Sequence, residues 1–527
     1  MKETRTPRLM IAAPKSGGGK TTLVCALLRA LQKMGLTAAA FKSGPDYIDP
    51  LFHSRVLQTA SHTLDLFLFG RGGQGAATAR YLLASGSDGA DIAVLEGAMG
   101  YYDGVGTTSE ASAYDLAKVT NTPVVLVVDG MTIETATFRG EAYGDDAHRP
   151  EQVWYASTLR EDVLRRDFTV NALAMDKDGH IYDYTGGQKD IRKKRLATVG
   201  DARRRFQEDA LRLFRACRFT GQLDFLPDKE LIQAMPEAFH RVAGLSVERV
   251  VGEIDRLMTT PAAYKGLDVL VRTGLGACSC RRRENGAYQD VPILPECSHL
   301  PSTPQSRPFH LFDAWFHTLA VVAHTPPDLT IRYGAFFHDV AKGMPGIRGV
   351  HKGRYTDYGH DAKGAEVAEA VLLRWRKPPD FAKRVAWLVK THMKFHYFAN
   401  TGQGDVDKWL RREALEGPFR RTDELVEAVR QATAVACGDV LGCGHREADT
   451  SGTKSFGEYM ALLASLMPVS TKDLRYDRRI PDACGRRTGE CLRVLLKRVQ
   501  NKELQNDADI LAEAAEKWLK RHTGDST

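Results

Sequence analysis

The sequence has no long hydrophobic run, although hydrophobic residues make up 43% of its 527 residues. No uninterrupted apolar stretch approaches the roughly 20 residues that a helix needs to cross a bilayer. The start of the chain, MKETR followed by a short apolar segment, lacks the apolar core of a signal peptide. These absences predict a cytoplasmic protein with no membrane partner.

The sequence also lacks a cysteine framework. It has nine cysteines, and the one close pair, Cys278 and Cys280, does not have the spacing of a zinc ribbon. An odd and scattered set of cysteines is typical of a reducing compartment rather than of a disulfide scaffold.

Neither sign of charge dominates, because the formal net charge is only +7 and charged residues make up 26% of the chain. Such a composition is that of an ordinary globular protein, and the length suggests about three or four domains. The mild basic excess fits a solvated surface as well as an anionic partner such as RNA or nucleotide. Composition leaves both interpretations open.

A phosphate-binding loop is the first motif present. Apolar residues 9–13 predict a buried strand, and the segment 14–22 (PKSGGGKTT) leads into a helical pattern that starts at Leu23. In such a unit the backbone N–H groups face phosphate oxygens, while the lysine and threonine contact the outer phosphates and Mg²⁺. The residues that we assign to ATP binding are Gly17, Gly18, Gly19, Lys20, Thr21 and Thr22, with Thr21 also a Mg²⁺ ligand.

Three further strand patterns, at residues 37–41, 91–95 and 123–128, predict that this loop belongs to a parallel sheet. Glu96 directly follows the second of these patterns. A carboxylate at the carboxyl end of a strand beside a phosphate loop is well placed to hold Mg²⁺. Glu96 is therefore predicted as a second metal ligand.

The N-terminal part resembles the ATPase domain of cobyrinic acid a,c-diamide synthase. The matching segments are 14–22, 44–50 (GPDYIDP), 64–68 (LDLFL), 96–104 and 113–117 (AYDLA). The resemblance implies that ATP and Mg²⁺ activate a carboxylate. It also implies nucleotide, metal or substrate contacts at Asp46, Tyr47, Asp49 and Asp103.

This resemblance stops after about Asp129, and the glutaminase domain of that family does not follow. We therefore expect a truncated nucleotide-binding unit without amidotransferase chemistry.

From residue 131 onward the chain resembles a bacterial CCA-adding tRNA nucleotidyltransferase of the poly(A)-polymerase-like class. The matching segments are 137–143 (TFRGEAY), 165–173 (RRDFTVNAL) and 205–212 (RFQEDALR). Such enzymes add C, C and A to tRNA without a template, so the resemblance implies that tRNA, CTP and ATP are bound.

The same resemblance implies roles for six residues. Planar arginine forks suit a triphosphate, so the sugar and phosphates are assigned to Arg165, Arg166, Asp167 and Asn171. Asp209 and Arg212 lie three apart in a predicted helix over 204–219, where they share one face, and are assigned to reading the base edge. A solvated charge run and a surface ion pair are the alternatives.

Two motifs of that family are missing. Its catalytic head begins with Gly-Gly-x-x-Arg-Asp and Asp-x-Asp, the latter holding two Mg²⁺ ions, and neither motif precedes residue 131. Glu141 matches the third carboxylate of that site, but one carboxylate does not organise two metal ions. The sequence predicts weak or absent nucleotide addition by this chain alone.

A third group of residues resembles the HD phosphohydrolase superfamily. His338 and Asp339 are adjacent on a predicted helix, His317 lies upstream, and Asp439 is the expected closing carboxylate. Imidazole and carboxylate ligands suit a divalent transition metal that activates water. His360 and His392 are assigned either as further ligands or as phosphate contacts. The resemblance implies phosphatase or 2′,3′-cyclic phosphodiesterase activity.

Helix patterns occupy residues 231–235, 247–258, 267–275, 456–466 and 510–520, whereas residues 276–308, with the run Arg281 to Arg283, predict a linker or long loop. The predicted domains are a truncated P-loop unit (1–130), a truncated nucleotidyltransferase head (131–225), a helical neck and linker (226–305), an HD domain (306–450) and a helical tail (451–527).

The fold class is thus multidomain: an incomplete α/β P-loop sheet, then an α+β nucleotidyltransferase remnant and a mainly α-helical body with an HD domain. The predicted function is tRNA 3′-end processing with a metal-dependent HD hydrolase. The alternatives are an ATP-dependent cobyrinic acid a,c-diamide synthase fragment and a non-catalytic binder of tRNA and nucleotides. The sequence leaves open the oligomeric state and whether the junction near 129–132 is a gene fusion or a gene-model error.

Overall fold

The computed structural model describes residues 6–15, 19–44, 48–70, 73–104, 110–128, 131–135, 138–143, 150–176, 178–307, 309–401 and 406–523. The chain divides into two compact units, residues 1–138 and 139–527. Among the described residues, none of the helices combines the length and the apolar character that a membrane span requires.

The first unit is built on a six-stranded sheet. Its strands are β1 (Arg8–Ala12), β2 (Ala38–Ser43), β3 (Ala60–Leu64), β4 (Ile92–Glu96), β5 (Val124–Val128) and β6 (Met131–Thr135), in the order β3-β2-β4-β1-β5-β6. The first five are parallel, and β6 pairs antiparallel with β5. The parallel sheet that the sequence predicts is therefore confirmed.

Helices cover both faces of this sheet, as a parallel sheet requires. They are α1 (Lys20–Lys33), α2 (Ile48–Arg55), α3 (Gly73–Gly86) and α4 (Ala113–Thr120). Val24 and Leu28 of α1 pack with Ile11 on one face, whereas Leu83 of α3 and Leu116 of α4 belong to the core on the other. The sheet edge that follows β1, β2 and β4 thus carries the predicted phosphate site.

The second unit begins with short strands and helices. They are β7 (Arg139–Tyr143), β8 (Pro150–Tyr155), α5 (Leu159–Leu164), β9 (Leu173–Met175), β10 (Ile181–Asp183), α6 (Gly187–Arg192), β11 (Arg195–Leu196), α7 (Ala202–Glu208), α8 (Leu211–Leu223) and β12 (Leu226–Pro227). β7 pairs antiparallel with β8, and β9 with β10.

The single helix predicted over 204–219 is wrong, because the chain breaks between α7 and α8. Asp209 has an extended backbone (φ −145°, ψ 107°). Its Oδ1 accepts a hydrogen bond from the N–H of Leu211 at 2.9 Å. Short acidic side chains compete in this way with the helix for backbone N–H groups. As a result α7 ends just before Asp209, and α8 begins at Leu211.

The helical body contains α9 (Lys229–Ala234), α10 (Val247–Met258) and α11 (Ala263–Arg272), so the 247–258 prediction is confirmed at both ends. The loop predicted over 276–308 is wrong. Its first half is a hairpin of β13 (Ser279–Glu284) and β14 (Ala287–Pro292), with Arg281 to Arg283 in β13. Asn285 and Gly286 turn the chain with φ values of +50° and +85°, which is the Asn-Gly signal of a tight hairpin.

The remainder is almost entirely helical. It comprises α12 (Ala314–Ala323), α13 (Leu329–Phe337), β15 (Arg348–His351), β16 (Arg354–Asp357), α14 (His360–Arg374), α15 (Pro379–Thr401), α16 (Val406–Glu416), α17 (Thr422–Gly442), α18 (Ser451–Ser465), α19 (Arg479–Cys484), α20 (Thr488–Gln500) and α21 (Ala508–Thr523). One hydrophobic core runs from Phe168 to Val389. The predicted neck and HD segments therefore share a core across the expected boundary at 305.

Candidate functional sites

The predicted HD residues converge in the core of the second unit. His317 lies in α12, His338 and Asp339 follow α13, and Asp439 lies in α17. His317, His338 and Asp339 are at most 1% exposed. His317 Nε2 is 3.0 Å from Asp439 Oδ1 and 3.5 Å from Asp339 Oδ2, and His338 Nε2 is 3.3 Å from Asp339 Oδ2. Four residues separated by up to 122 positions thus meet at one point.

His360 at the start of α14 and His392 in α15 complete the cluster from the other side of Asp339. His360 Nε2 lies 3.3 Å from Asp339 Oδ1, and His392 Nε2 lies 4.0 Å from the same oxygen. The two oxygens of Asp339 therefore face different pairs of histidines. Oδ2 faces His317 and His338, and Oδ1 faces His360 and His392. Around Asp339, two neighbouring groups of described residues have metal-ligand spacing, namely His317, His338 and Asp439, and Asp339, His360 and His392.

Backbone carbonyls fix the orientation of three of these rings. The Nδ1 atoms of His338, His360 and His392 lie 2.7, 2.7 and 2.6 Å from the carbonyl oxygens of Ala335, Asp357 and Val389. A carbonyl only accepts, so each Nδ1 donates and each Nε2 faces the cluster. This is the usual arrangement behind metal-bound histidine.

The charges in the cluster favour an ionised carboxylate at Asp339 and a neutral imidazole at His392, whereas they draw His338 toward its protonated form. Burial alone would raise the pKa of Asp339, but His338 and Lys342 hold that pKa well below its ordinary value. Burial opposes protonation of His338, yet Asp339 raises its pKa. Burial, with repulsion from His338 and His360, lowers the pKa of His392 to about 3. The imidazole of His392 is therefore neutral at physiological pH, which is the form that binds a metal ion.

A cavity of about 370 Å³ adjoins the cluster. His360 and Lys342 line it, and Lys342 Nζ lies 2.7 Å from Asp339 Oδ2. The rings of Phe309, Tyr355 and Tyr358 line it as well and are exposed. A small anionic ester has room in this cavity beside Asp339.

In the first unit, the described part of the phosphate loop forms a polar constellation. Thr21 Oγ1 donates to Glu96 Oε1 at 2.6 Å and to Asp49 Oδ2 at 3.3 Å. Gly19, with φ +80°, precedes α1, and Lys20 and Thr22 lie in its first turn. The predicted residues Gly17, Gly18, Asp46 and Tyr47 lie outside the described residues.

Lys42 is a residue that the sequence interpretation missed. Its Nζ lies 2.7 Å from Glu96 Oε1 and 2.5 Å from Asp49 Oδ2. Burial opposes the charge of Lys42, but the hydrogen bonds that it donates to Asp49 and Glu96 raise its pKa. The sequence could have indicated Lys42, because Lys42 directly follows the predicted strand 37–41 and Glu96 directly follows the predicted strand 91–95. The ammonium group of Lys42 therefore lies between Asp49 and Glu96, at the position that the sequence predicts for Mg²⁺.

Lys20 and Asp103 contact the loop that follows β4. Lys20 Nζ donates to the carbonyl of Met99 at 2.6 Å. Burial, followed by repulsion from Lys42, lowers the pKa of Lys20. Asp103 Oδ2 accepts from the N–H of Gly100 at 2.8 Å. Both side chains thus bind the backbone beside Glu96.

The 165–173 stretch is tied together by ion pairs. Arg165 and Arg166 lie 2.6 and 3.3 Å from the two oxygens of Asp162, a residue that the sequence interpretation did not single out. Asp167 is buried, pairs with Arg215 and accepts from Asn171 Nδ2 at 2.8 Å. Asp167 therefore orients its neighbours from within the core.

Asp209 and Arg212 lie on either side of the break between α7 and α8. Arg212 Nη1 donates to Glu208 Oε2 at 2.7 Å. Burial raises the pKa of Asp209. The shared helix face predicted for this pair is not present. Glu141 lies in β7, and its side chain is outside the described residues.

Comparison with known families supports the nucleotidyltransferase resemblance over part of the chain. Residues 109–197 match the poly A polymerase head domain, and residues 224–277 match the probable RNA and SrmB-binding site of polymerase A. The first match contains the 165–173 stretch and begins before the predicted boundary at 131.

Curated relatives are CCA-adding enzymes. The one from Bacillus pumilus (strain SAFR-032) is 40% identical over 201 residues, 38% of this chain and 47% of the relative. The one from Geobacillus sp. (strain WCH70) is 47% identical over 152 residues, 29% of this chain and 38% of the relative. The chain thus spans about half or less of the length of these relatives.

Solved structures of CCA-adding enzymes are also similar at low TM-score. The Bacillus stearothermophilus enzyme in complex with CTP has a TM-score of 0.47 at 23% identity, covering 76% of this chain and 83% of that one. The Thermotoga maritima enzyme complexed with tRNA has a TM-score of 0.35 at 13% identity, covering 69% and 74%.

The resemblance to cobyrinic acid a,c-diamide synthase and the fusion hypothesis stay predictions. The region around residues 109–277 is similar to CCA-adding enzymes and poly(A) polymerases, as the sequence predicts.

Proposed function

We propose that the chain is a tRNA 3′-end processing protein of the CCA-adding type whose working active site is a metal-dependent phosphohydrolase. The observation that carries the proposal is the buried His/Asp cluster around Asp339 beside an open cavity. The similarity to CCA-adding enzymes supports a tRNA end as the substrate.

The residues present fit a divalent metal. His360 Nε2 and His392 Nε2 lie 3.3 Å apart. Both Nδ1 atoms donate to carbonyls, so in neutral rings the two Nε2 lone pairs face each other. A cation between them relieves this repulsion.

The donor set suits two ions that share Asp339. His317, His338, Asp439 and Asp339 Oδ2 would hold one, and His360, His392 and Asp339 Oδ1 the other. Bound there, divalent metal would supply an activated water and stabilise charge on a phosphoryl oxygen.

The chain's own residues would bind and orient the ester. Lys342 reaches both Asp339 and the cavity, so its ammonium can pair with a substrate phosphate. The exposed rings of Phe309, Tyr355 and Tyr358 suit stacking of a splayed base. The cluster itself is buried, so water and substrate would reach it from the side of the cavity. A terminal nucleoside 2′,3′-cyclic phosphate combines these requirements.

The experiment is hydrolysis of a nucleoside 2′,3′-cyclic phosphate by the purified chain with added Mn²⁺, Ni²⁺ or Co²⁺. We expect turnover that chelation abolishes and that falls to background in His338→Ala and Asp339→Ala. His324→Ala is the matched control, because His324 is exposed and bonds only to its own helix through Ala320. Equal turnover in all three variants would contradict the proposal.

For nucleotide addition, we propose weak or absent activity in this chain alone. The Gly-Gly-x-x-Arg-Asp and Asp-x-Asp motifs do not precede residue 131, where the catalytic head of that family has them. Arg165, Arg166, Asp167, Asn171, Asp209 and Arg212 keep the predicted role of binding CTP, ATP and the tRNA end. Incorporation of labelled CMP or AMP into tRNA lacking its CCA end would overturn this.

A second function, ATP binding by the first unit, is favoured by the contacts of Thr21, Glu96 and Lys42. We propose that Mg²⁺ arriving with ATP displaces Lys42 from Glu96 and frees its ammonium for a phosphate. Equilibrium binding of a fluorescent ATP analogue, with and without Mg²⁺, tests this. A Mg²⁺-independent signal that survives Lys20→Ala would contradict it.

A further inference from the structure

A second group of soft-metal ligands adjoins the hydrolase cluster on the far side of His317. His310, His317 and Cys443 place their ligand atoms within 4.8 Å of one another. His310 precedes α12, and Cys443 directly follows α17. The sequence interpretation singled out neither residue.

The backbone holds this group together. The N–H of Leu311 donates to the carbonyl of Cys443 at 3.0 Å, which fixes the segment after His310 against the end of α17. Cys443 lies one helical turn after Asp439, and its Sγ contacts the carbonyl of Asp439 at 3.3 Å. Hydrogen bonds to main-chain carbonyls therefore hold the segment after His310 against Cys443, and Cys443 against Asp439.

The separations match those in a tetrahedral metal site. His310 Nδ1 and Cys443 Sγ are 3.6 Å apart. Zinc–nitrogen and zinc–sulfur bonds of about 2.1 and 2.3 Å place two such ligands roughly 3.6 Å apart at a tetrahedral angle. This distance fits a thiol–imidazole hydrogen bond, and it equally suits two ligands of one ion.

His317 supplies an independent sign that a ligand is bound here. Its ring is fully buried. Nε2 faces Asp439, whereas Nδ1 is buried and has no hydrogen-bond partner among the residues that the structure describes. An unsatisfied buried nitrogen costs about 1–3 kcal/mol. A metal ion on Nδ1 would remove this cost without disturbing the contacts of Nε2.

We propose that His310, His317 through Nδ1, and Cys443 form a binding site for a soft divalent metal of the Zn²⁺ type, joined to the hydrolase cluster by the imidazole of His317. The thiol of Cys443 loses its proton to solvent when the metal–sulfur bond forms. His317 binding through Nδ1 keeps its ring proton on Nε2, facing Asp439; if the hydrolase metal also takes Nε2, that proton passes to solvent and the ring bridges as imidazolate. His310 also lines the cavity, so the fourth position is open to water. The proposal does not depend on hydrolase activity.

The test uses Co²⁺ as the probe and the full chain. Thiolate bound to Co²⁺ gives a near-ultraviolet charge-transfer absorption that nitrogen and oxygen ligands do not give. We expect this absorption in the native chain, its loss in Cys443→Ser, and a requirement for more Co²⁺ in His310→Gln. Cys437→Ser is the control, because Cys437 lies buried on the same helix and outside these ligand groups.

Asp339→Ala separates this site from the hydrolase cluster, and we expect it to keep the absorption. Thermal unfolding by circular dichroism shows whether each variant folds, and His310→Gln decides the matter if Cys443→Ser does not. Absorption that persists unchanged in Cys443→Ser or in His310→Gln, or that is missing from the folded native chain, overturns the proposal.

Discussion

Asp339 contacts five cationic or imidazole side chains of the second unit, and its relationship with His338, the residue before it, sets the geometry. His338 Nε2 lies 3.3 Å from Asp339 Oδ2, while Asp339 Oδ1 faces His360 at 3.3 Å. A carboxylate with one oxygen toward each histidine pair would be able to serve both ions of the proposed two-metal site.

Metal should stabilise the fold. Ligands that bind only the native state raise the free energy of unfolding, by about 2.7 kcal/mol at a concentration of 100 Kd. We expect Mn²⁺ to raise the melting temperature of the native chain and chelation to lower it. Calorimetry of His392→Ala should show a smaller rise. An identical rise in this variant would exclude His392 as a ligand.

Acid should weaken the 165–173 stretch through Asp167. Burial opposes its charge, but Arg215 holds the pKa of Asp167 below the ordinary value of 3.8. A lowered folded-state pKa contributes stability that is present above pH 3.8 and is lost as pH falls through the folded value.

The measurement is urea unfolding of the native chain and of Asp167→Asn from pH 6 down to pH 3. Asp167→Asn should be less stable at pH 6, by about 3 kcal/mol for a broken buried pair. Its stability should also fall less steeply in acid. Parallel pH profiles for the two proteins would contradict this role.

The helical body and the HD segment should unfold together. Tyr333 of α13 donates to Asp255 Oδ1 of α10 at 2.7 Å, and Trp315 Nε1 of α12 donates to Asp268 Oδ1 of α11 at 2.8 Å. Tyr333→Phe removes a hydrogen bond to the carboxylate of Asp255, which is partly exposed and also contacts Lys377, and should cost about 1–3 kcal/mol because the acceptor is charged.

Urea unfolding followed by tryptophan fluorescence and by circular dichroism checks this. We expect both signals of the second unit to shift by the same amount. Tyr355→Phe is the control, since Tyr355 is exposed. Two separate transitions would show that the shared core does not couple these segments.

Lys42 should control Mg²⁺ affinity in the first unit. Lys42→Met removes the ammonium between Asp49 and Glu96, so Mg²⁺ no longer competes with it. We expect tighter Mg²⁺ binding without nucleotide and weaker binding of ATP. Isothermal titration with each ligand measures both. Unchanged Mg²⁺ affinity would contradict the proposed displacement.

Much of this molecule follows from local sequence signals. The apolar runs before Lys20 and Glu96 predict parallel strands, and the periodicity over 247–258 predicts α10 to the residue. His317, His338, Asp339 and Asp439 are recognised by residue type and order, and the structure brings them together.

What the sequence did not predict depends on competition and long-range contacts. The break at Asp209 arises because a side chain competes with the helix for a backbone N–H group. The Asn285-Gly286 turn was a readable signal that the polar composition of its surroundings obscured. Lys42 and His310 acquire the partners Glu96 and Cys443 when distant elements pack, whereas Asp162 pairs locally with Arg165 and Arg166.

The role that we propose for the cluster around Asp339 is hydrolysis of phosphate esters at tRNA ends. Its most direct test is a tRNA with a 2′,3′-cyclic phosphate terminus, incubated with metal-loaded native chain and with Asp339→Asn, with the terminus identified by mass spectrometry. We predict ring opening by the native chain alone. An intact cyclic phosphate with the native chain, or equal opening by both proteins, would contradict the claim.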